Sequence, residues 1–209
     1  MAVVLHDYWR SSASYRVRIA LAIKDIAYET VPVAMLAGEH ASDSYRSRNP
    51  QGLVPTLEID GAILTQSLAI IDYLDAIAPV PRLIPLEPLA RARTLSLALA
   101  IVADIHPIDN LRVLKRLESQ FGADQAAKDT WYVHWIAEGF AALEALVGER
   151  PFLGGDAPDL ADVCLVPQIY NARRFAVSLD AYPKLVRIDA AASALTAFKS
   201  AHPDLFRPT

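Results

Sequence analysis

Cysteine is nearly missing. Cys164 stands alone among 209 residues, so no disulfide can close within the chain. There is no CxxC pair and no Cys/His set with the spacing of structural zinc. The five histidines (His6, His40, His106, His134, His202) are scattered and never recur at i, i+4, so no metal site is expected. A basic excess is missing too: Lys and Arg total 20 against 24 Asp and Glu, a net charge of −4. That balance argues against a dedicated nucleic-acid binder, which carries a strong positive field. Long apolar runs are absent as well. Uncharged stretches such as Thr94–Ala103 fall short of the roughly 18 residues that a membrane helix needs. The opening MAVVLHDYWR is charged too soon for a signal peptide, which points to the cytoplasm. What is present is 53% hydrophobic and 21% charged, a globular composition rather than a disordered one. At ~150 residues per domain, the length suits one or two domains.

The first eighty residues alternate in type. Val3–Tyr8 reads as a strand, Tyr15–Lys24 as a helix ending at Asp25, and Ala27–Val33 as a second strand. A looser segment, Met35–Gly52, follows. Pro55–Ile59 and Ala62–Leu64 then flank Asp60-Gly61, a strong hairpin-turn signal. Gln66–Ala78 carries helical spacing through Leu68, Ile71 and Leu74. The order β-α-β, then β-β-α, predicts a small α/β domain over 1–80 with a parallel pair and an antiparallel hairpin. Prolines 79, 81, 85 and 88 cannot continue a helix, and residues 81–88 are the expected linker. Beyond it, 89–209 reads as all-helical: Leu89–Ile105, Asn110–Phe121, Gln125–Val147, Leu160–Arg174 and Lys184–Ala201, with Pro107 breaking the chain between the first two. The stretch Leu160–Tyr170 is apolar almost all round and should be buried. Asp159 and Asp162 fit an N-cap followed by first-turn negative charge, a structural role.

Three short segments carry candidate chemistry. Arg10-Ser11-Ser12-Ala13-Ser14 joins the first strand to the first helix, where free N–H groups and the helix dipole favour an anion by ~0.3–1 kcal/mol. Simple capping explains one serine well and three poorly. No histidine or aspartate is near enough in sequence to make a serine nucleophilic, so the hydroxyls fit better as donors to a ligand's thiolate or oxyanion. Val54-Pro55 opens a strand, and a cis bond there would turn backbone groups towards a ligand's peptide unit. Gln66-Ser67 opens a helix and makes a seat for a carboxylate. Together they outline a groove for a peptide-like thiol with a free carboxylate, which is the outline of glutathione.

Ser11-Ser12-Ala13-Ser14-Tyr15-Arg16-Val17-Arg18-Ile19-Ala20-Leu21, Asn49-Pro50, Val54-Pro55-Thr56-Leu57 and Gln66-Ser67-Leu68-Ala69-Ile70-Ile71 resemble the zeta class of glutathione transferases. So do Asp104-Ile105-His106-Pro107-Ile108-Asp109-Asn110 and Ala161-Asp162-Val163-Cys164-Leu165-Val166-Pro167-Gln168, and the resemblance covers nearly the whole chain. It implies a thioredoxin-like α/β N-terminal domain, an all-α C-terminal domain, a homodimer, and glutathione as cofactor. The class consists typically of maleylacetoacetate isomerases, with some maleylpyruvate isomerases. One position departs: the family motif usually reads Ser-Ser-Cys, and the third residue here is Ala13. The thiol that reacts belongs to glutathione, so activity is expected without that cysteine.

The implied reaction is cis–trans isomerisation of an unsaturated keto dicarboxylic acid in aromatic-compound breakdown. Thiolate addition, rotation about the resulting single bond, and elimination would leave glutathione unconsumed. Ser11 and Ser12 are the implied catalytic residues. The implied glutathione contacts are Ser11, Ser12, Ala13, His40, Val54, Pro55, Gln66, Ser67, Asp104, His106, Asn110 and Arg112. Arg10 and Arg174 are the implied cations for the dicarboxylate, since arginine suits bidentate carboxylate binding. The sequence leaves maleylacetoacetate and maleylpyruvate both open as substrate, and the resemblance, through Leu111 after Asn110, leans towards the former. Conjugation, α-haloacid dehalogenation and a non-catalytic glutathione-binding module remain as alternatives. A thiol–disulfide oxidoreductase is excluded, because the motif holds no cysteine.

Overall fold

The computed structural model describes residues 2–208. Met1 and Thr209, the outer bounds of the two expected domains, lie outside the described residues. The chain divides into two units, one of Met1–Leu83 together with Ala194–Thr209 and the other of Ile84–Ser193.

The first unit is built on a four-stranded sheet. Strands β1 (Val3–Asp7), β2 (Glu29–Pro32), β3 (Thr56–Ile59) and β4 (Ala62–Thr65) lie in the order β2-β1-β3-β4. β1 and β2 are parallel, and the other two pairings are antiparallel. Helix α1 (Ser12–Ile23) supplies the crossover between β1 and β2, and α3 (Ser67–Ile77) follows β4 and packs on α1. Asp60 and Gly61, at φ 47° and 82°, form the turn between β3 and β4 with the two positive φ values that a tight hairpin needs. Leu5, Leu57 and Ile59 from the sheet, Val17, Ile19 and Leu21 from α1, and Ile70, Ile71 and Leu74 from α3 form the core, each no more than 1% exposed. The segment expected to be loose, Met35–Gly52, contains two 3₁₀ turns (Met35–Ala37 and Glu39–Ala41) and the short helix α2 (Asp43–Arg46), capped by Ser42.

Charge is buried in this unit along with the apolar core. Lys24 donates to Asp75 at 2.6 Å and also to the Pro81 carbonyl, while Asp75 accepts from the Leu83 N–H at 2.7 Å. Arg18 is fully buried. Its three nitrogens reach Asp7 Oδ2 (2.5 Å), the Trp9 carbonyl (3.1 Å) and the Ala201 carbonyl (3.1 Å), and its guanidinium lies 4.5 Å from the Phe206 ring centre. Those last two contacts hold the segment after Ser193 to the first unit. The helix expected over Lys184–Ala201 is accordingly two: α8 (Pro183–Ser193) and α9 (Thr196–Ser200), separated by extended backbone at Leu195. The helical domain expected over 89–209 thus differs from the observed units, because α9 packs on α1.

The second unit is helical: α4 (Pro88–Leu99), α5 (Leu111–Phe121), α6 (Gln125–Leu146), α7 (Leu160–Arg174) and α8. Capping follows the sequence closely. Glu87 accepts from Leu89 and Ala90, Asn110 from Val113, and Asp124 from Ala127. The helix expected to reach Ile105 widens after Leu99 into a π turn, Ala100–Ile105, where the His106 N–H bonds the Ile101 carbonyl five residues back. It stops before Pro107. α7 is the buried centre, and Asp159 and Asp162 form its capping box. Asp162 also accepts from Leu153 N (2.8 Å) and Gly154 N (3.0 Å), which ties the preceding loop to the helix start. Burial pushes its carboxyl up to about 6.

Candidate functional site

Register places three of the candidate segments at one end of the sheet. His6 on β1 faces Thr56 on β3, and Thr56 faces Thr65 on β4. The chain leaving β1, the chain entering β3 and the chain leaving β4 therefore meet there, carrying Ser11-Ser12-Ala13, Val54-Pro55 and Gln66-Ser67. β2 ends on the same side, since Asp7 faces Pro32, and leads into the turn that bears His40.

Ser11 is the N-cap of α1, and its Oγ accepts from Ser14 N at 3.2 Å. As acceptor in that bond it keeps its own proton for donation outward. Ser11 and Ala13 are half-buried, while Ser12, the first helical residue, is 5% exposed. The helix therefore starts three residues earlier than the expected Tyr15. Val54-Pro55 is cis. Among the described residues the Val54 N–H and C=O have no hydrogen-bond partner. The carbonyl of the preceding Leu53 is fixed by two donors, Tyr45 Oη and Asn49 Nδ2, both at 2.7 Å. Gly52 has a φ of 61°, and a Cβ there would stand 2.8 Å from the His40 carbonyl. Only glycine lets the His40 turn close onto this loop.

Gln66 precedes α3 at φ 68°, ψ 114°, a conformation that costs a non-glycine residue of order 1–3 kcal/mol. Its Nε2 donates to Gln51 Oε1 at 2.7 Å. Ser67, 4% exposed, accepts at Oγ from Arg16 Nε at 3.1 Å. Arg16 is only 2% exposed, so a buried cation lies behind the free N–H groups that begin α3. Sequence reasoning assigned roles to neither Arg16 nor Gln51. The signal for Arg16 was its i, i+4 spacing from Ser12, which turns it inward with the buried face of α1.

Arg10 is held by the Tyr8 hydroxyl (3.2 Å from Nε, 3.0 Å from Nη2), with its guanidinium 5.0 Å from the Trp9 ring centre. Arg207 approaches the same ring at 5.6 Å. Among the described residues Arg10 has no carboxylate partner, and the same is true of Arg207.

The remaining candidates belong to the helical unit. Asp104 is exposed on the π turn, His106 follows it, Asn110 caps α5, and Arg112 is exposed on α5. Arg174 is exposed at the end of α7, where Nη1 donates to Asn171 Oδ1 at 2.7 Å and the guanidinium lies 5.4 Å from the Phe175 ring centre. Among the described residues no group of three His, Cys, Asp or Glu could hold a metal ion, and no helix is long and apolar enough to cross a membrane.

Residues 5–82 match the family model "Glutathione S-transferase, N-terminal domain", and residues 125–207 match "Glutathione S-transferase, C-terminal domain". The chain belongs to the glutathione S-transferase family. Within that family, it is 50% identical over 209 residues to maleylacetoacetate isomerase of Rhizobium meliloti, covering 98% of both chains. It superposes with a TM-score of 0.94 on the holo structure of maleylpyruvate isomerase, a bacterial zeta-class glutathione S-transferase, at 44% identity over 96% of both chains. It also superposes on maleylacetoacetate isomerase from Methylobacterium extorquens AM1 with bound malonate and glutathione, with a TM-score of 0.91 at 38% identity over 98% of both chains. The expected thioredoxin-like N-terminal and helical C-terminal architecture is the one observed.

Proposed function

We propose that the protein is a glutathione-dependent cis–trans isomerase that converts maleylacetoacetate to fumarylacetoacetate, in the breakdown of aromatic compounds. The observation that carries the reading is full-length likeness, at 50% identity, to a maleylacetoacetate isomerase.

The donor set fits glutathione. The Ser11 hydroxyl has a proton to give, Val54 presents an N–H and C=O without a partner among the described residues, and α3 begins with N–H groups backed by Arg16. When bound, glutathione supplies a thiolate that adds reversibly to the conjugated alkene and leaves again, so the bond can turn as a single bond. Ser11 would donate to that sulfur, with Ser12 beside it at the helix start. A thiol of pKa ~8.5 is mostly protonated at neutral pH, and a donor plus a helix N-terminus lowers that value. Ala13 would contribute backbone alone. Val54 would pair with the cysteinyl main chain, with Pro55 fixing its orientation. Gln66 and Ser67 would hold the γ-glutamyl carboxylate, and by the family likeness His40, Asp104, His106, Asn110 and Arg112 would be further glutathione contacts. Arg10 and Arg174 would each take a substrate carboxylate. The family likeness also supports a homodimer working in the cytoplasm.

Proton NMR of the protein with glutathione and either maleylacetoacetate or maleylpyruvate tests the reading. Conversion to the trans acid that depends on glutathione yet leaves it unconsumed is expected, faster with maleylacetoacetate. Faster turnover of maleylpyruvate would transfer the assignment to that acid. Failure of both, with glutathione still bound, would overturn the isomerase reading in favour of haloacid turnover or binding alone.

A further inference from the structure

In α2, Asp43, Ser44 and Arg46 are exposed, while Tyr45 is 5% exposed. A phenylalanine would bury as much ring, so the hydroxyl is what sets the residue apart, and a buried hydroxyl needs partners. It has two. Tyr45 Oη donates to the Leu53 carbonyl at 2.7 Å and lies 3.0 Å from Oγ1 of the fully buried Thr56. The phenol has one proton, which the Leu53 carbonyl takes, so Thr56 donates to Tyr45. One oxygen therefore joins the residue before Val54-Pro55 to the residue after it. The ring is held as well: His6 on β1 meets it edge-on, with centres 6.2 Å apart and planes at 75°.

What Tyr45 holds at Leu53 bears directly on Val54. The Leu53 carbonyl and the Val54 N–H belong to one planar trans peptide unit and point in opposite directions. Fixing that carbonyl on Tyr45 Oη and on Asn49 Nδ2, both at 2.7 Å, aims the N–H away from the two side chains. The Val54 N–H has no hydrogen-bond partner among the described residues. On the other flank, Thr56 is the first residue of β3, set in the sheet between His6 of β1 and Thr65 of β4. The phenol thus ties the exposed-facing peptide unit to the sheet. Asn49 is fixed independently of Tyr45, since its Oδ1 accepts from Gln51 N at 3.1 Å. Removing the phenol hydroxyl leaves the Leu53 carbonyl with one donor in place of two, and the Thr56 hydroxyl without its acceptor.

We propose that Tyr45 is a positioning residue for glutathione: by clamping Leu53 and Thr56 it aims the Val54 N–H at the ligand's cysteinyl carbonyl. The inference rests on the assignment of Val54 to the cysteinyl main chain. The effect of Tyr45 then falls on glutathione affinity and KM rather than on kcat, because Ser11, at the start of α1, serves the sulfur. A peptide hydrogen bond that is no longer well aimed corresponds to roughly three- to tenfold in affinity.

Titration calorimetry with two ligands tests the proposal: S-methylglutathione, and its ester analogue in which oxygen replaces the glycyl nitrogen and weakens the cysteinyl carbonyl as an acceptor. Wild type, Tyr45→Phe, Thr56→Val and Thr56→Ser are compared below their melting temperatures. Tyr45→Phe should bind S-methylglutathione roughly three- to tenfold more weakly and raise the glutathione KM by a similar factor, with the loss absent from kcat. Thr56→Val, which breaks one arm of the clamp, should show a smaller loss, and Thr56→Ser, which keeps the hydroxyl, should match wild type. Wild type should prefer the amide to the ester by roughly three- to tenfold, and that preference should shrink to about twofold or less in Tyr45→Phe. A role confined to stability would lower Tm and leave the ratio alone. Wild-type affinity and an undiminished ratio in Tyr45→Phe would overturn the clamp alone. Equal binding of amide and ester by wild type would overturn the Val54 assignment and the inference with it, while failure of wild type to bind either would overturn the glutathione reading itself. Should Tyr45→Phe fail to fold, the two Thr56 variants decide.

Discussion

Removing the Ser11 hydroxyl perturbs two things that substitutions can separate. Its Oγ caps α1 by accepting from Ser14 N at 3.2 Å, which leaves its own proton available for donation, in the proposed function to a thiolate. Loss of an N-cap to alanine costs about 1 kcal/mol, a fall in Tm of roughly 2–4 °C for a chain of this size. Loss of a hydrogen bond to a charged acceptor costs about 1.5–3 kcal/mol. At ~1.4 kcal/mol per tenfold, that is roughly 10- to 150-fold in the thiolate-dependent step. Ser11→Ala should show both losses. Ser11→Gly should lose turnover equally but only a few tenths of a kcal/mol of stability, since glycine is a tolerable N-cap. Ser11→Thr, which keeps a capping hydroxyl, should stay close to wild type. The assays are kcat for isomerisation at saturating glutathione, the pH dependence of thiolate absorbance in the glutathione complex, and thermal melting. A kcat within twofold of wild type in both Ser11→Ala and Ser11→Gly would refute the thiolate role. A rise in glutathione KM with kcat unchanged would reduce Ser11 to a binding residue.

Arg18→Met leaves Asp7 buried without its cation, and a urea midpoint reporting about 3–5 kcal/mol of lost stability is expected; proteolysis should then begin after Ser193, and an unchanged midpoint would contradict the account of the core. Asp162 is raised by burial from 3.8 to about 6, so the folded chain holds the proton that the unfolded chain loses, and its contribution to stability falls as pH rises through that interval. Asp162→Asn should abolish this slope in Tm against pH. It should also be less stable at neutral pH by about 1–3 kcal/mol, because the amide group meets backbone N–H donors that the carboxylate accepts from.

Local chemistry made much of the fold legible. Ser11, Asn110 and Asp159 mark helix starts because a short polar side chain satisfies N–H groups that the helix cannot, and Asp60-Gly61 tolerates the φ values a tight turn requires. Three serines, a strand-opening proline and Gln66-Ser67 could be grouped from sequence because each lies at a strand end, and these ends fall on one side of the sheet. What stayed hidden depends on contacts distant in sequence. The division after Ser193 follows from where Ala201 and Phe206 meet Arg18, and no local signal between 184 and 201 announces it. The partners of Arg16 and Arg18, namely Ser67, Asp7 and two backbone carbonyls, come from other stretches of chain and are not announced locally. Gln51 gains its place through Gln66, fifteen residues away. Asp109 lies in a polar stretch of sequence, and only its burial, with no donor on either carboxyl oxygen among the described residues, makes its carboxyl unusual.

The tie between Arg18 and the segment after Ser193 bears on how the chain is made. Residues Ile84–Ser193 leave the ribosome before Ala201 and Phe206 do, although the latter belong to the unit whose strands emerged first. While the helical unit is being synthesised, nascent Arg18 lacks one carbonyl acceptor and the ring that covers it. The first unit therefore reaches its final packing only when α9 and the turn after it have been translated. A fusion or truncation just after Ser200 would for that reason be felt first at α1, on the opposite arm of the polypeptide from where it was made.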